Sequence, residues 1–233
     1  MKKTLLFVLA LAAICIIPSC GNNPNNNDGN ASVVKGTLNG HEWVDLGLPS
    51  GTLWATCNVG AETPEGYGDY FAWGETNTKT NYNWDTYKFG NGFHLTKYCD
   101  NSNFGDNGFT DYLTDLQSSD DAASVNWGSD WCTPTQEQWK ELLMNTNNNW
   151  VTQNNVKGCL FTSKNGQKLF LPAAGGRWRS ELSYVNSIGY YWSNSLKAGS
   201  VNATNVRLDS DYCGINRIDR YVGLTIRPVT YSN

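Results

Sequence analysis

The sequence predicts a single α+β domain of short antiparallel strands, two helices and long loops. Three observations carry this. Gly, Asn and Asp recur every several residues, so the chain turns often. Short apolar stretches lie between those turns. Helix signals occur in two places only. Few helices among many short strands belong to an α+β architecture.

Strands are expected at 41–48, 52–59, 158–163, 168–173, 190–193, 205–208 and 222–229. In the second, Leu53, Ala55 and Cys57 alternate with Trp54 and Thr56; in the last, Leu224 and Ile226 alternate about Thr225. Residues 77–108 are polar, aromatic and rich in Asn and Gly. They read as long loops over a scaffold, where binding sites are often placed. A short helix is expected over 120–125, capped by Ser119. The stronger helix follows Thr133-Pro134-Thr135-Gln136, which reads as an N-cap, a proline at the first helical position and a capping-box glutamine. Trp139, Leu142 and Leu143 then share one helix face.

The first residues carry an export signal. Lys2 and Lys3 precede an apolar run over 5–17, too short for an ordinary membrane span. The run ends in Ile17-Pro18-Ser19-Cys20, which looks like a bacterial lipobox. Residues 1–19 are therefore expected to be a lipoprotein leader. Cys20 is the expected lipidation site, and two or more acyl chains there hold a protein stably to a membrane. Residues 20–35, rich in Asn, have too little apolar content to fold and read as a tether. The domain is expected over 36–233, at the outer membrane or cell surface.

A cut before Cys20 leaves 214 residues (233 less the 19 of the leader), enough for a substantial core. Loss of Lys2 and Lys3 takes the net charge from −4 to −6. A sparsely charged acidic chain with no basic stripe does not suit nucleic acid. Ten Trp and twelve Tyr suit both a core and a binding surface, with most expected in the core. Cys57, Cys99, Cys132, Cys159 and Cys213 contain no CxxC pair. With His41 and His94 the only histidines, zinc spacing is absent, and buried thiols are the expected state. No Gly-x-Ser-x-Gly elbow, His-Glu-x-x-His helix or phosphate-binding glycine loop is present. Asp120 and Asp121 sit at a helix start, where they complement its dipole. Residues 100–106 are rich in oxygen ligands. Phe104, however, stands where a calcium loop needs an oxygen, and the closing Glu is missing. No catalysis, cofactor or metal is expected.

Several segments are familiar together. The first runs His41-Glu42-Trp43-Val44-Asp45-Leu46-Gly47-Leu48-Pro49-Ser50-Gly51-Thr52-Leu53-Trp54-Ala55-Thr56-Cys57-Asn58-Val59-Gly60 and is highly specific. Tyr67-Gly68-Asp69-Tyr70-Phe71-Ala72-Trp73-Gly74-Glu75, Leu171-Pro172-Ala173-Ala174-Gly175, Tyr191-Trp192-Ser193 and Gly223-Leu224-Thr225-Ile226-Arg227-Pro228-Val229 follow. Over residues 40–230 the chain resembles the Fibrobacter succinogenes major paralogous domain family, common in Bacteroidetes lipoproteins. The resemblance implies a C-type-lectin-like fold, shared with formylglycine-generating enzymes and with the variable proteins of diversity-generating retroelements. Trp131-Cys132-Thr133-Pro134-Thr135 departs from the usual Trp-Arg-Met-Pro-Thr, and Gly175-Gly176-Arg177 from Gly-Tyr-Arg. Neither change bears on the fold; both mean that a family ligand is not carried over. A formylglycine-generating activity needs a reactive cysteine pair, and none maps onto this sequence.

The C-terminal third resembles the retroelement-diversified proteins, in which a constant frame surrounds variable positions. Leu182, Val206 and Leu208 would belong to the frame. Gly176, Thr204, Asn205 and Val222 would be among the variable positions, facing outward along the strands. The expected ligand contacts are Trp178, Tyr184, Tyr190, Arg207, Ile218, Asp219 and Tyr221. Trp178, Tyr184 and Tyr190 would be anchors, and Arg207 and Asp219 would give polar specificity. The expected function is adhesion or capture of a protein or glycan ligand by a lipid-anchored protein. The alternatives are a structural or fimbria-associated component with a fixed protein partner, and an enzyme using His41, His94 or a cysteine.

Overall fold

The computed structural model describes residues 34–231. The expected leader, Cys20 and the tether as far as residue 33 lie outside the described residues. The strands are β1 (Lys35–Leu38), β2 (His41–Asp45), β3 (Thr52–Ala55), β4 (Gly90–Asn91) and β5 (His94–Leu95), then the helices α1 (Ala122–Trp127) and α2 (Gln136–Asn145). There follow β6 (Thr146–Gln153), β7 (Val156–Ser163), β8 (Lys168–Pro172), β9 (Gly176–Trp178), β10 (Glu181–Ser183), β11 (Gly189–Leu196), β12 (Asn202–Leu208), β13 (Cys213–Asp219) and β14 (Val229–Tyr231). All ladders between these strands are antiparallel. The chain is thus an α+β domain. Lys35, expected in the tether, already belongs to β1.

β14 returns to pair with β3, so the two ends of the domain share the sheet β1-β2-β3-β14. The sheet β11-β12-β13 lies between two apolar cores. Trp192, Ala203 and Ile218 face the first; Tyr191, Val206, Leu208 and Ile215 face the second, together with Trp139 and Leu142 of α2. This corrects the expected alternation. Thr204 and Asn205 are buried, because β12 has a core on each side. Gly176 and Val222 are buried as well, and Leu182, expected in the frame, is exposed.

Other expectations shift in register. α2 is capped by Thr135, two residues later than Thr133. The Thr135 hydroxyl accepts from the Gln138 amide at 3.1 Å, and Gln138 Oε1 accepts from the Thr135 amide at 2.8 Å. Thr133 is engaged elsewhere: its amide and hydroxyl donate to the Asp121 carboxylate at 2.8 and 2.6 Å. That carboxylate also accepts from the Ala123 amide, so Asp121 and not Ser119 caps α1. The two oxygens of a carboxyl group accommodate these three donors, one more than the two lone pairs of a serine hydroxyl accept. Residues 222–229 do not form one strand. Gly223, Leu224 and Thr225 bridge to Arg177, Phe71 and Tyr191, three separate segments, and only Val229 enters a sheet. Cys57, Cys99, Cys159 and Cys213 carry free thiols, with Cys99 and Cys159 buried.

Asp120 fastens residues 88–98 beside α1. Its carboxylate accepts from Lys88 Nζ at 2.8 Å, Lys97 Nζ at 2.6 Å and the Tyr98 hydroxyl at 2.8 Å. Burial pushes its pKa up, but the bonds from Lys88, Lys97 and Tyr98 outweigh burial and hold it below the usual carboxylate value. A depressed carboxylate stabilises the fold above its unfolded pKa, about 3.9, and loses that contribution as pH falls through the lower folded value. Urea unfolding of wild type and Asp120→Asn should therefore differ most from neutral pH down to about 4. The gap should close below that. A gap that persists unchanged at the acid end would contradict this role for Asp120.

Candidate functional site

The site begins with Tyr82, a fully buried residue in the loop after residue 77. Its amide donates to the Arg179 carbonyl at 2.9 Å, and the Arg179 amide donates back at 2.8 Å. Its hydroxyl donates to the Tyr70 carbonyl at 2.6 Å. Its ring packs on Gly223, where a Cβ would come within 2.7 Å of it. Together these contacts fasten the loop to the turn between β9 and β10. Arg179 has φ +55, in the left-handed region, at a cost of about 1 kcal/mol that the two Tyr82 bonds offset. The 3-10 turn Trp84–Thr86 follows, closed by an Asn83–Thr86 capping box.

This arrangement brings Trp84, Trp178 and Tyr221 into the lining of one pocket of ≈ 490 Å³. The rings of Trp84 and Tyr221 meet edge to face at 5.1 Å and 67°. The rest of the lining is polar: Asn83, Asp85, Arg179, Ser180 and Glu181. The side chains of Asp85, Arg179 and Glu181 make no hydrogen bond or ion pair with the described residues. Their donors and acceptors are left to solvent or to a ligand. No group of three metal-ligating side chains occurs among the described residues.

The aromatic surface continues past the pocket. Trp178 meets Tyr184 at 5.6 Å and Tyr190 at 5.9 Å, both edge to face, and Tyr184 meets Tyr190 at 6.5 Å. Tyr190 is the cross-strand partner of Arg207. Arg207 is committed to an ion pair with Asp209 at 2.6 Å and lies over the Tyr212 ring. Asp219 accepts from Asn202 Nδ2 at 3.0 Å and lies beside the Tyr221 hydroxyl. Burial raises its pKa, and Tyr221 and Asn202 oppose the rise.

The seven expected contacts therefore divide. Trp178 and Tyr221 line the pocket, and Tyr184 is exposed beside it. Tyr190 is only 9% exposed; it supports Trp178 and Tyr184 from beneath and is not itself a surface anchor. Ile218 packs toward the first core, Asp219 steadies Tyr221, and Arg207 is held by Asp209. Sequence reasoning missed Trp84, Asp85, Arg179 and Glu181. Trp84-Asp85 sits inside the stretch flagged as binding loops, and an aromatic beside an acid there was the available signal. Nothing in the sequence alone pairs that loop with residues 179–181.

Alanine substitution should separate support from surface. Tyr190→Ala should cost about 3 kcal/mol in urea unfolding, as for a large buried aromatic. Tyr184→Ala should cost less than about 1 kcal/mol. Equal costs would mean that Tyr190 is not the support described. No family model, no curated protein and no solved structure matches the chain, so the reading of this face rests on its geometry.

Proposed function

We propose that the protein is a lipid-anchored binding protein of the envelope or cell surface. Its domain would be C-type-lectin-like, and it captures a protein or glycan ligand without catalysis. The observation that carries this is the pocket between Trp84, Trp178 and Tyr221. It is an aromatic concavity with charged groups that the fold leaves unpaired, set beside a further exposed tyrosine. Such concavities, with a few placed polar groups, are the usual form of ligand sites. Trp and Tyr supply large contact areas with few torsions to freeze. The histidines are occupied away from the pocket: His41 stacks on Trp127 at 3.6 Å and His94 faces Asp106. The export signal and lipobox support membrane attachment through Cys20. Should the face vary between related chains, the positions free to do so are those not fully buried, such as Trp178, Ser183, Tyr184 and Tyr221.

Full-length protein in detergent, screened against immobilised surface proteins and glycans, provides the test. Trp178→Ala and Tyr221→Ala should each weaken binding to the ligand found by about 30-fold, as for central aromatic contacts. Met144→Ala should leave it unchanged; Met144 is 83% exposed on α2, which packs on the second core. Equal binding by all three variants would refute the face as the site.

A further inference from the structure

We infer that the pocket between Trp84, Trp178 and Tyr221 takes the ring of a neutral sugar, as part of a glycan, by direct contact and without a metal ion. This rests on the binding reading above and names the ligand class for the same site.

The walls and the rim make different demands on a ligand. The walls are three aromatic rings contributed by separate segments of the chain. An aromatic face carries a partial negative charge, so it attracts polarised C–H groups. The rim holds two carboxylates, Asp85 and Glu181, and one guanidinium, Arg179, none of them paired within the described residues. A wholly apolar ligand would strip water from these charges and return no hydrogen bonds. An anionic ligand would meet Asp85 and Glu181, and a cationic one would gain from those carboxylates and the rings but leave Arg179 without an acceptor. A neutral sugar satisfies both demands. One face of its ring is C–H, and its edge is hydroxyl. Each hydroxyl can donate to a carboxylate and accept from a guanidinium, giving charge-assisted bonds on both signs.

Size and rigidity agree with this. A volume of ≈ 490 Å³ falls in the range of small-ligand sites, about 300 to 1,000 Å³, and accommodates a sugar ring with part of its neighbour. The lining is held before any ligand arrives. Tyr82 and Arg179 exchange backbone hydrogen bonds, and the capping box sets the turn that carries Trp84 and Asp85. A preformed site loses little entropy on binding, which matters for a ligand that gains few contacts. The rim carboxylates lie on two different segments. Among the described residues no group of three His, Cys, Asp or Glu side chains forms there.

Full-length protein in detergent would be tested on an array of neutral glycans ending in glucose, galactose, mannose or N-acetylglucosamine, with EDTA present. Calorimetry on the glycan that binds would follow. Binding that survives EDTA is expected. Trp178→Ala should weaken it by about 30-fold, and Asp85→Asn and Glu181→Gln should each weaken it about tenfold, the worth of a charge-assisted bond. Asp85 and Glu181 are exposed, so these two variants should melt as wild type does, which keeps the test independent of folding. Glycan binding that ignores all three substitutions, or that is lost in EDTA, overturns the inference. So does capture of a carbohydrate-free protein, with no glycan bound, that Trp178→Ala weakens; in that case the binding face stands and only the sugar falls.

Discussion

The candidate site depends on one contact, the ring of Tyr82 against the backbone of Gly223. Any side chain at residue 223 would place its Cβ within 2.7 Å of that ring. With glycine there, Tyr82 reaches the Tyr70 carbonyl with its hydroxyl and exchanges two backbone bonds with Arg179. The loop carrying Trp84 and the turn carrying Arg179 and Glu181 are thereby fixed to one another. They are about a hundred residues apart in the chain, so closing that separation has an entropic cost that local propensity cannot offset. Gly223 belongs to a run that bridges Arg177, Phe71 and Tyr191 in turn. The loop is therefore fastened to the middle of the domain and not to its margin.

That middle is rigid for a reason visible in the tryptophans. Trp73, Trp139 and Trp192 are almost fully buried, and each indole N–H still finds a backbone carbonyl: Ser193 at 2.9 Å, Trp192 at 3.2 Å and Phe71 at 2.7 Å. A buried indole contributes a large apolar area, and its polar tip ties two segments together when it is paired. Two buried arginines act similarly. Arg220 donates to the Tyr98 and Ser200 carbonyls, and Arg227 to Ala55, Thr56 and the Asn58 side chain. Burial lowers both pKa values, yet the carbonyl partners keep each cation tolerable inside the fold. The C-terminal run is thus tied to the first strands, and the aromatic face is mounted on that frame.

Much of this was legible from residue patterns, and the failures have physical causes. Short apolar stretches bounded by turn residues, such as β8, became strands where the sequence placed them. β12 misled because it is covered on both sides, so Asn205 is buried where alternation points it outward. The capping signal at 133–136 was real but ambiguous. Two threonines competed for the cap, and a buried carboxylate twelve residues away took Thr133. At the site, aromatic residues of the C-terminal third could be chosen by type, which found Trp178 and Tyr221. Their packing could not be chosen that way. Tyr184 and Tyr190 are the same residue type, yet one is 54% exposed and the other 9%, because only the second lies on the sheet between two cores. Trp84 and Glu181 come together through Tyr82 and Gly223, a long-range contact that no local pattern encodes.

Hydrogen exchange at the amides of Tyr82 and Arg179 tests that contact most directly, comparing wild type with Gly223→Ala. Both amides should lose protection together in the variant, while the central amides of β12, such as Val206, stay protected. If Tyr82 and Arg179 remain as protected as in wild type, or if protection is lost evenly across the domain, then the Tyr82–Gly223 contact does not assemble the site.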